Sequence, residues 1–131
     1  MRQEDVDEIW HLVRMEPLEA LEVSYAGCHY SVTVFLEGAV VLIMGVSGTL
    51  GGEGVPWMLA SPLLTKIRKS FLKDSIQFMA AVCNDFEFLH NVAWSKNTEH
   101  IRWLKWLGFD FQPGVPMGPD EEIYIHFFKV T

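Results

Sequence analysis

The stretch of the chain that decides the fold is residues 89–109, LHNVAWSKNTEHIRWLKWLGF. Its first six residues, 89–94, form an apolar run of strand length, which Ser95 interrupts. Residues 98–107 then place their apolar side chains at helical spacing. Gly108 ends this helix, because glycine tolerates the left-handed conformation that closes helices. The stretch predicts a strand, an Asn at position 97, one short helix and a Gly-Phe turn.

Two short helices are predicted at the start of the chain. Asp5 is a candidate cap for the first, whose apolar residues between Val6 and Val13 recur at i, i+3, i+4 and i+7. Pro17 begins the second, and Gly27 ends the region.

A hairpin and a third strand are predicted next. Residues 30–37 alternate as a strand does, and residues 39–46 are apolar on both faces, which is typical of a central strand. Glu37-Gly38 is a tight-turn candidate between them, so the pair reads as antiparallel. Residues 47–54 form a Gly-rich loop, and residues 55–60 resume as a strand.

A long helix and a last strand complete the pattern. Ser61-Pro62 is a typical helix start, and the predicted helix runs from Pro62 to about Phe86. Residues 112–120 are rich in Pro and Gly and predict an irregular loop, whereas residues 122–130 alternate as a strand. The order of elements predicts an α/β (α+β) sandwich with a mixed sheet.

Composition and charge argue against several classes of protein. The chain fits a single domain, residues 1–131, and half of its residues are apolar, which argues against disorder. The net charge of −7 argues against nucleic acid as the main partner. No apolar run reaches the ~20 residues of a membrane span, and the acidic N-terminus lacks a signal-peptide core, so we expect a cytoplasmic protein. Cys28 and Cys83 belong to no metal or redox motif, and the scattered histidines predict no zinc site.

The strand, Asn97, the short helix and Gly108-Phe109 together resemble the closing signature of the GNAT superfamily of N-acetyltransferases. The order of elements resembles the GNAT order without its usual first strand. The resemblance implies a GNAT-like mixed, mostly antiparallel central sheet with helices on both faces and a first strand that is short or missing. It also implies acetyl-CoA as cofactor, lying in a V-shaped gap where the strand at 89–94 splays from the strand at 55–60, and an amine as acceptor.

The resemblance also assigns cofactor contacts to the strand before the gap and to the starts of the two later helices. The residues at these positions are Met58, Leu59, Ala60, Ser61, Lys66, Arg68 and Asn97. Asn97 equally fits an ordinary helix cap, and both roles are compatible.

Two departures from the family pattern weaken the enzyme hypothesis. The family's long helix begins with a Gly-containing loop whose amides bind pyrophosphate, but residues 61–68 contain no Gly, and Pro62 lacks an amide donor. The position of the family's Tyr acid holds Leu104, which has no proton to donate.

The catalytic candidates are therefore chosen by residue type and approximate position. Glu53, His90 and Glu37 lie on or beside the central strands and are candidates for the general base, directly or through water. Tyr124 on the last strand is the nearest alternative acid. A half-buried structural His90 and a solvated Glu53 are the simpler alternatives.

A narrower resemblance concerns residues 57–62, then Lys66, Arg68 and Phe71-Leu72, and the string IRWLKWLGF at 101–109. These look like a small family of tailed-phage proteins encoded near virion genes, whose best-known member is an internal virion (core-assembly) protein of a podovirus. The resemblance implies phage virion proteins as partners and a virion-associated location. Three functions stay open: N-acyl transfer, a non-catalytic assembly role in which the dense aromatics from Trp94 to Phe111 form a binding surface, and inhibition of a host protein. A homodimer is also left open.

Overall fold

Four α-helices, one 3₁₀ helix and seven strands make up the computed structural model, which describes the backbone of residues 1–131 and every side chain except that of Arg68. In chain order they are α1 (Gln3–Val13), α2 (Pro17–Ala26), β1 (Cys28–Leu36), β2 (Ala39–Gly48), β3 (Glu53–Ala60), the 3₁₀ helix (Pro62–Lys66), α3 (Arg68–Cys83), β4 (Phe88–Trp94), α4 (Thr98–Trp106), β5 (Asp110–Phe111), β6 (Val115–Met117) and β7 (Glu122–Val130). The order confirms the predicted succession, with β5 and β6 added before the last strand. No helix in the described chain combines the length and the hydropathy that crossing a membrane requires.

All seven strands belong to one sheet, in the order β1-β2-β3-β4-β7-β5, and β6 also pairs with β7. Every neighbouring pair is antiparallel except β3 and β4, which are parallel. α1 begins at Gln3, and no strand precedes it in the described chain. The mixed, mostly antiparallel sheet and the missing first strand are therefore confirmed.

Helices cover both faces of this sheet, as expected. The Tyr124 hydroxyl in β7 donates to the Glu8 carbonyl of α1. Phe127, three residues further along β7, lies with its ring centroid 5.1 Å from that of Phe109 and 6.2 Å from that of His100 in α4. Because residues three apart in a strand point to opposite faces, α1 and α4 lie on opposite sides.

The main core lies between the sheet and helices α3 and α4. Its most deeply buried members include Leu42, Val46 and Leu89 from the sheet and Val82 and Leu104 from the helices. Burying a side chain of this size contributes about 1.5–3 kcal/mol. This packing fixes α3 and α4 beside β3 and β4, where the candidate site lies.

The helix predicted over residues 62–86 is wrong at both ends. Its first turn is the separate 3₁₀ helix, and Ile67, at φ −120° and ψ 16°, interrupts the backbone before α3 begins. Leu64 is buried in the core, so tertiary packing of this turn overrides the helical spacing. At the other end, Phe86 lies beyond α3 and is buried in the loop that leads to β4.

Two smaller predictions are also wrong. Asp5 does not cap α1, because Arg2 holds the N-cap position and the Asp5 carboxylate turns inward to the backbone of β3. Residues 115–117, predicted as irregular loop, form β6, because β7 is long enough to offer them a pairing edge.

Candidate functional site

Strands β3 and β4 separate soon after they meet. Their parallel ladder joins only Glu53 to Phe88 and Gly54 to Leu89. Two residues further along each strand, the Asn91 side-chain amide donates to the Pro56 carbonyl at 2.9 Å, so a side chain has already replaced backbone pairing. Beyond this point the two strands enclose a gap.

A cavity opens on each side of this gap. The larger, about 420 Å³, lies towards α3 and α4, and its apolar wall includes Phe71, Leu72 and Trp103. The smaller, about 280 Å³, lies between α1, α2 and the strands. Met58 of β3 and His100 of α4 line both cavities. These two residues therefore stand where the two cavities approach each other.

The gap-facing edge of β3 is largely occupied by the protein's own groups. The Arg2 backbone N–H donates to the Ala60 carbonyl at 2.6 Å, and the Asp5 carboxylate accepts from the Ala60 N–H at 2.9 Å. Pro56 has no N–H, and its carbonyl already accepts from a side chain. Because the backbone N–H and C=O groups of successive residues in a strand point to opposite edges, Met58 is the residue between Pro56 and Ala60 whose backbone groups also face the gap.

A buried polar cluster fills the space beside Ala60. The Arg2 guanidinium donates to Asp5 at 2.8 and 3.2 Å, to the Asn97 carbonyl oxygen at 3.2 Å and to Glu99 at 2.6 Å. Arg2, Asp5 and Asn97 are 6%, 1% and 0% exposed. Buried charges require partners of this kind, and the cluster supplies them from two distant parts of the chain, its N-terminal end and the start of α4.

Glu8 and His100 extend this cluster towards the smaller cavity. The Glu8 carboxylate accepts from the Trp94 backbone N–H at 2.8 Å, and it lies 3.5 Å from Nδ1 of His100. At that separation the contact with His100 is electrostatic rather than a well-formed hydrogen bond. Burial acts to lower the pKa of His100, but the Glu8 carboxylate, with a smaller contribution from Asp5, outweighs it, and the pKa stands above its usual value.

Asn97, the predicted cofactor contact, lies inside this cluster. Its side-chain amide donates to Asp5 at 3.0 Å and to Glu8 at 3.4 Å, and its carbonyl oxygen accepts from Arg2. It occupies the N-cap position of α4 without a side-chain capping bond, so the alternative prediction of an ordinary cap is wrong. Its contact with a cofactor stays a prediction.

The other predicted cofactor residues divide between strand and turn. Met58, Leu59 and Ala60 end β3 beside the gap. The Ser61 hydroxyl accepts from the Leu63 N–H at 3.2 Å and so caps the 3₁₀ helix. Lys66 ends that helix and is exposed. The prediction for Arg68 concerns a side chain that lies outside the described part of the structure.

The predicted catalytic residues lie away from the gap. His90 Nε2 lies 3.0 Å from the Glu53 carboxylate, and His90 Nδ1 lies 3.1 Å from Nε2 of His126, all near the paired beginning of β3 and β4. Neither Glu53 nor His90 lines the two cavities. Tyr124 is fully buried with its hydroxyl bound to the Glu8 carbonyl, and burial raises the pKa of Tyr124 above its usual range. Glu37 lies in the β1–β2 turn at φ 51°.

Sequence reasoning missed Arg2, Glu8 and His100. A usable signal was the presence of Asp5 and Glu8 three residues apart, each followed by a residue of the apolar stripe, Val6 and Ile9, because acids turned towards that side need a cation. Among the residues that the structure describes, no three His, Cys, Asp or Glu side chains are grouped so as to hold a metal ion.

Comparison with solved structures identifies the fold. Ard1 from Thermoplasma volcanium is 14% identical, with a TM-score of 0.68 over 100% of this chain and 94% of that one. An acetyltransferase of the GNAT family from Streptococcus pneumoniae is 14% identical, with a TM-score of 0.58 over 86% of this chain and 74% of that one. The aminoglycoside acetyltransferase AAC(6')-Ib, solved in complex with coenzyme A, is 15% identical, with a TM-score of 0.57 over 76% of this chain, which spans 65% of that protein's length. At such identities the likeness establishes the fold alone.

Comparison with protein families identifies the relatives. No curated protein matches the chain. Residues 31–114, more than half of the chain, match the family described as "Bacteriophage T7, probable scaffold protein Gp13". The match includes the last six residues of β1 together with β2 to β4, α3 and α4, and therefore most of the gap described above. The chain is a member of the bacteriophage T7 Gp13 family and has the GNAT acetyltransferase fold.

Proposed function

We propose that this protein acts in phage virion assembly through protein contacts, on a GNAT fold that does not use acetyl-CoA. The observation that carries the proposal is that the backbone N–H and C=O of Ala60 already have hydrogen-bond partners within the chain. Ala60 is the last residue on the edge of β3 that separates from β4. Its C=O accepts from the Arg2 backbone N–H, and its N–H donates to the Asp5 carboxylate. The description of the family as a probable scaffold protein supports the same function.

The residues present fit acetyl-CoA poorly. The turn before α3 contains no Gly and begins with Pro62, and the N–H groups of Leu63, Leu64 and Ile67 are already bound within the turn, so few amides there are available to a pyrophosphate. The Ser61 hydroxyl is already used as a cap, and the Asn97 side chain is bound at both ends by the buried cluster. Entry of a ligand along β3 requires the Arg2 and Asp5 bonds to Ala60 to open.

Acyl transfer is the second candidate, and one observation favours it. Two cavities approach each other from opposite faces at Met58 and His100, which is an arrangement suited to two separate ligands. Arg102 and Lys105 add positive charge to the wall of the larger cavity, where an anionic ligand would be favoured.

Calorimetric titration with CoA and acetyl-CoA separates the two functions. The assembly proposal predicts no heat and no thermal shift at millimolar ligand for the wild-type protein. Micromolar binding by the wild type would overturn the claim that the gap is closed to the cofactor. Gly52→Ala changes a loop residue outside both cavities, so it serves as a control that should give the same titration result as the wild type.

The assembly role itself needs a contact surface, and Trp106 is its best candidate. Of the aromatics predicted to form a surface, Trp94, Trp103 and Phe109 are buried, whereas Trp106 is 55% exposed at the larger cavity. In phage carrying Trp106→Ala, we expect fewer infectious particles and less of the protein in assembling particles. Trp10→Ala, which alters a 40% exposed tryptophan on α1, is the matched control. Equal particle yields for the two variants would exclude this surface.

A further inference from the structure

The outer edge of β1 has no partner. β1 is the first strand in the order of the sheet, and β2 is the strand paired with it. Apart from that ladder, no backbone N–H or C=O of residues 28–36 takes part in a hydrogen bond within the described chain. An open edge of this kind presents a row of free donors and acceptors to another strand.

The usual protections of an edge strand are scarce here. The strand Cys28–Leu36 contains no Lys, Arg, Asp, Glu or Pro. Phe35 is 61% exposed, and its cross-strand neighbour Val40 is 43% exposed, so an apolar patch adjoins the open edge. Register shifts at the two ends of β1 leave residues 30–34 as the regular part of the strand. Only that central segment is shaped for further pairing.

We propose that β1 of a second copy of this chain pairs with this edge, antiparallel, about a two-fold axis at Val32. In this register Val32 faces its own counterpart, Ser31 faces Thr33, and Tyr30 faces Val34. Hydroxyl pairs and aromatic–β-branched pairs are favourable cross-strand partners. Residues 30–34 carry side chains of favourable pairing types at equal distances on either side of Val32, as a two-fold interface requires.

The symmetry of residues 30–34 about Val32 favours a second copy as the occupant, and the lack of charge in β1 permits it. Two copies with a net charge of −7 repel each other, and like charges placed directly opposite in a ladder destabilise it. At a strand without charged residues, identical chains can approach without such pairs. The inference is independent of the assembly proposal, since β1 lies at the end of the sheet and the gap lies between β3 and β4 in its interior.

Sedimentation equilibrium tests the interface. We expect a reversible dimer of the wild type at micromolar concentrations. Val32→Glu places two carboxylates opposite each other at the axis, and it should raise the dimer dissociation constant at least about tenfold. Val130→Glu, at a 78% exposed position on β7, is the control and should leave the constant unchanged. A wild type that stays monomeric at hundreds of micromolar, or a dimer insensitive to Val32→Glu, would overturn the proposal.

Disulfide trapping tests the register without relying on a charge. Residues directly opposite in an antiparallel pair have Cα atoms about 4.5–5.5 Å apart, which suits a disulfide. In a background with Cys28 and Cys83 changed to Ser, Val32→Cys should cross-link two copies under mild oxidation. Phe35→Cys, more exposed but far from its own counterpart in this register, should cross-link much less. Equal cross-linking of the two variants would reject the two-fold pairing.

Discussion

The buried ion pair between Arg2 and Asp5 gives the most direct test of how the gap is held. In Asp5→Ala, the guanidinium loses its 2.8 and 3.2 Å partners while it remains 6% exposed, and the Ala60 N–H loses its acceptor. Removing one partner of a buried pair costs about 3–5 kcal/mol. Glu99 and Asn97 still contact the guanidinium in this variant, but the Ala60 N–H and the Asn97 side-chain amide lose their acceptor as well. A domain of this size has a total stability of about 5–15 kcal/mol, so this is a large share.

Urea unfolding followed by circular dichroism measures this loss of free energy, and thermal unfolding followed in the same way measures the shift of the midpoint. At about 4 °C per kcal/mol for a domain of this length, the thermal midpoint should fall by about 12–20 °C. Asp7→Ala is the matched control, because this surface carboxylate on the same helix bonds only to the exposed Gln3 side chain, and its loss should cost under about 0.5 kcal/mol. The double variant Arg2→Met with Asp5→Leu removes both charges and should cost at least about 1 kcal/mol less than the sum of the single changes. A loss under about 1 kcal/mol for Asp5→Ala, or strictly additive single changes, would refute the buried-pair argument.

Three further predictions concern the neighbourhood of the gap. Because the pKa of His100 is raised in the folded state, protonation of His100 stabilises the fold fully below its unfolded-state pKa of about 6.5, and this contribution is lost as the pH rises from there through the folded-state pKa. The difference in unfolding free energy between wild type and His100→Gln should therefore shrink as the pH rises over that range. A difference that does not depend on pH would contradict the contact between His100 and Glu8. Gly54→Ala places a Cβ 2.6 Å from a leucine side chain of β4 and should cost about 1–3 kcal/mol, whereas Gly52→Ala, with its nearest atom at 3.6 Å, should be nearly neutral; similar melting temperatures for the two would argue against tight packing where β3 meets β4. Trp106→Ala should lower the unfolding free energy by no more than about 2 kcal/mol, because the side chain is 55% exposed and keeps one hydrogen bond, to the Leu72 carbonyl; a loss of about 3–5 kcal/mol in chemical denaturation would assign it to the core.

Much of the fold is readable from the sequence, and the reason is local. The strand at residues 89–94, the break at Asn97 and the helix that follows carry their own periodicity and punctuation, and the structure places β4 and α4 there. The 3₁₀ helix escaped prediction because Leu64 and Ile67 have helical spacing, yet it is their packing on the core that sets the backbone. β6 escaped because a strand of three residues owes its existence to its partner β7.

The candidate site is less readable, because its residues meet only in three dimensions. Arg2 and Asn97 lie 95 residues apart in the chain, and no spacing rule joins them. Type and position alone selected Glu53 and His90, which do contact each other, but at the closed end of the β3–β4 pair. A pattern identifies strands and helices, whereas a buried charge cluster depends on which side chains the completed fold brings together.

The arrangement at Ala60 follows from a general requirement of splayed strands. Where two strands of a sheet separate inside a protein, the backbone groups on the facing edges lose their partners and need others. A ligand is one source of such partners, and a protein that supplies them from its own chain no longer depends on the ligand for its stability. Here Arg2 and Asp5 bind Ala60, and Asn91 binds Pro56, which leaves Met58 as the residue between them. A GNAT fold with its gap satisfied in this way is free to serve as a scaffold for protein contacts, and a search for its function is best directed first at its surfaces.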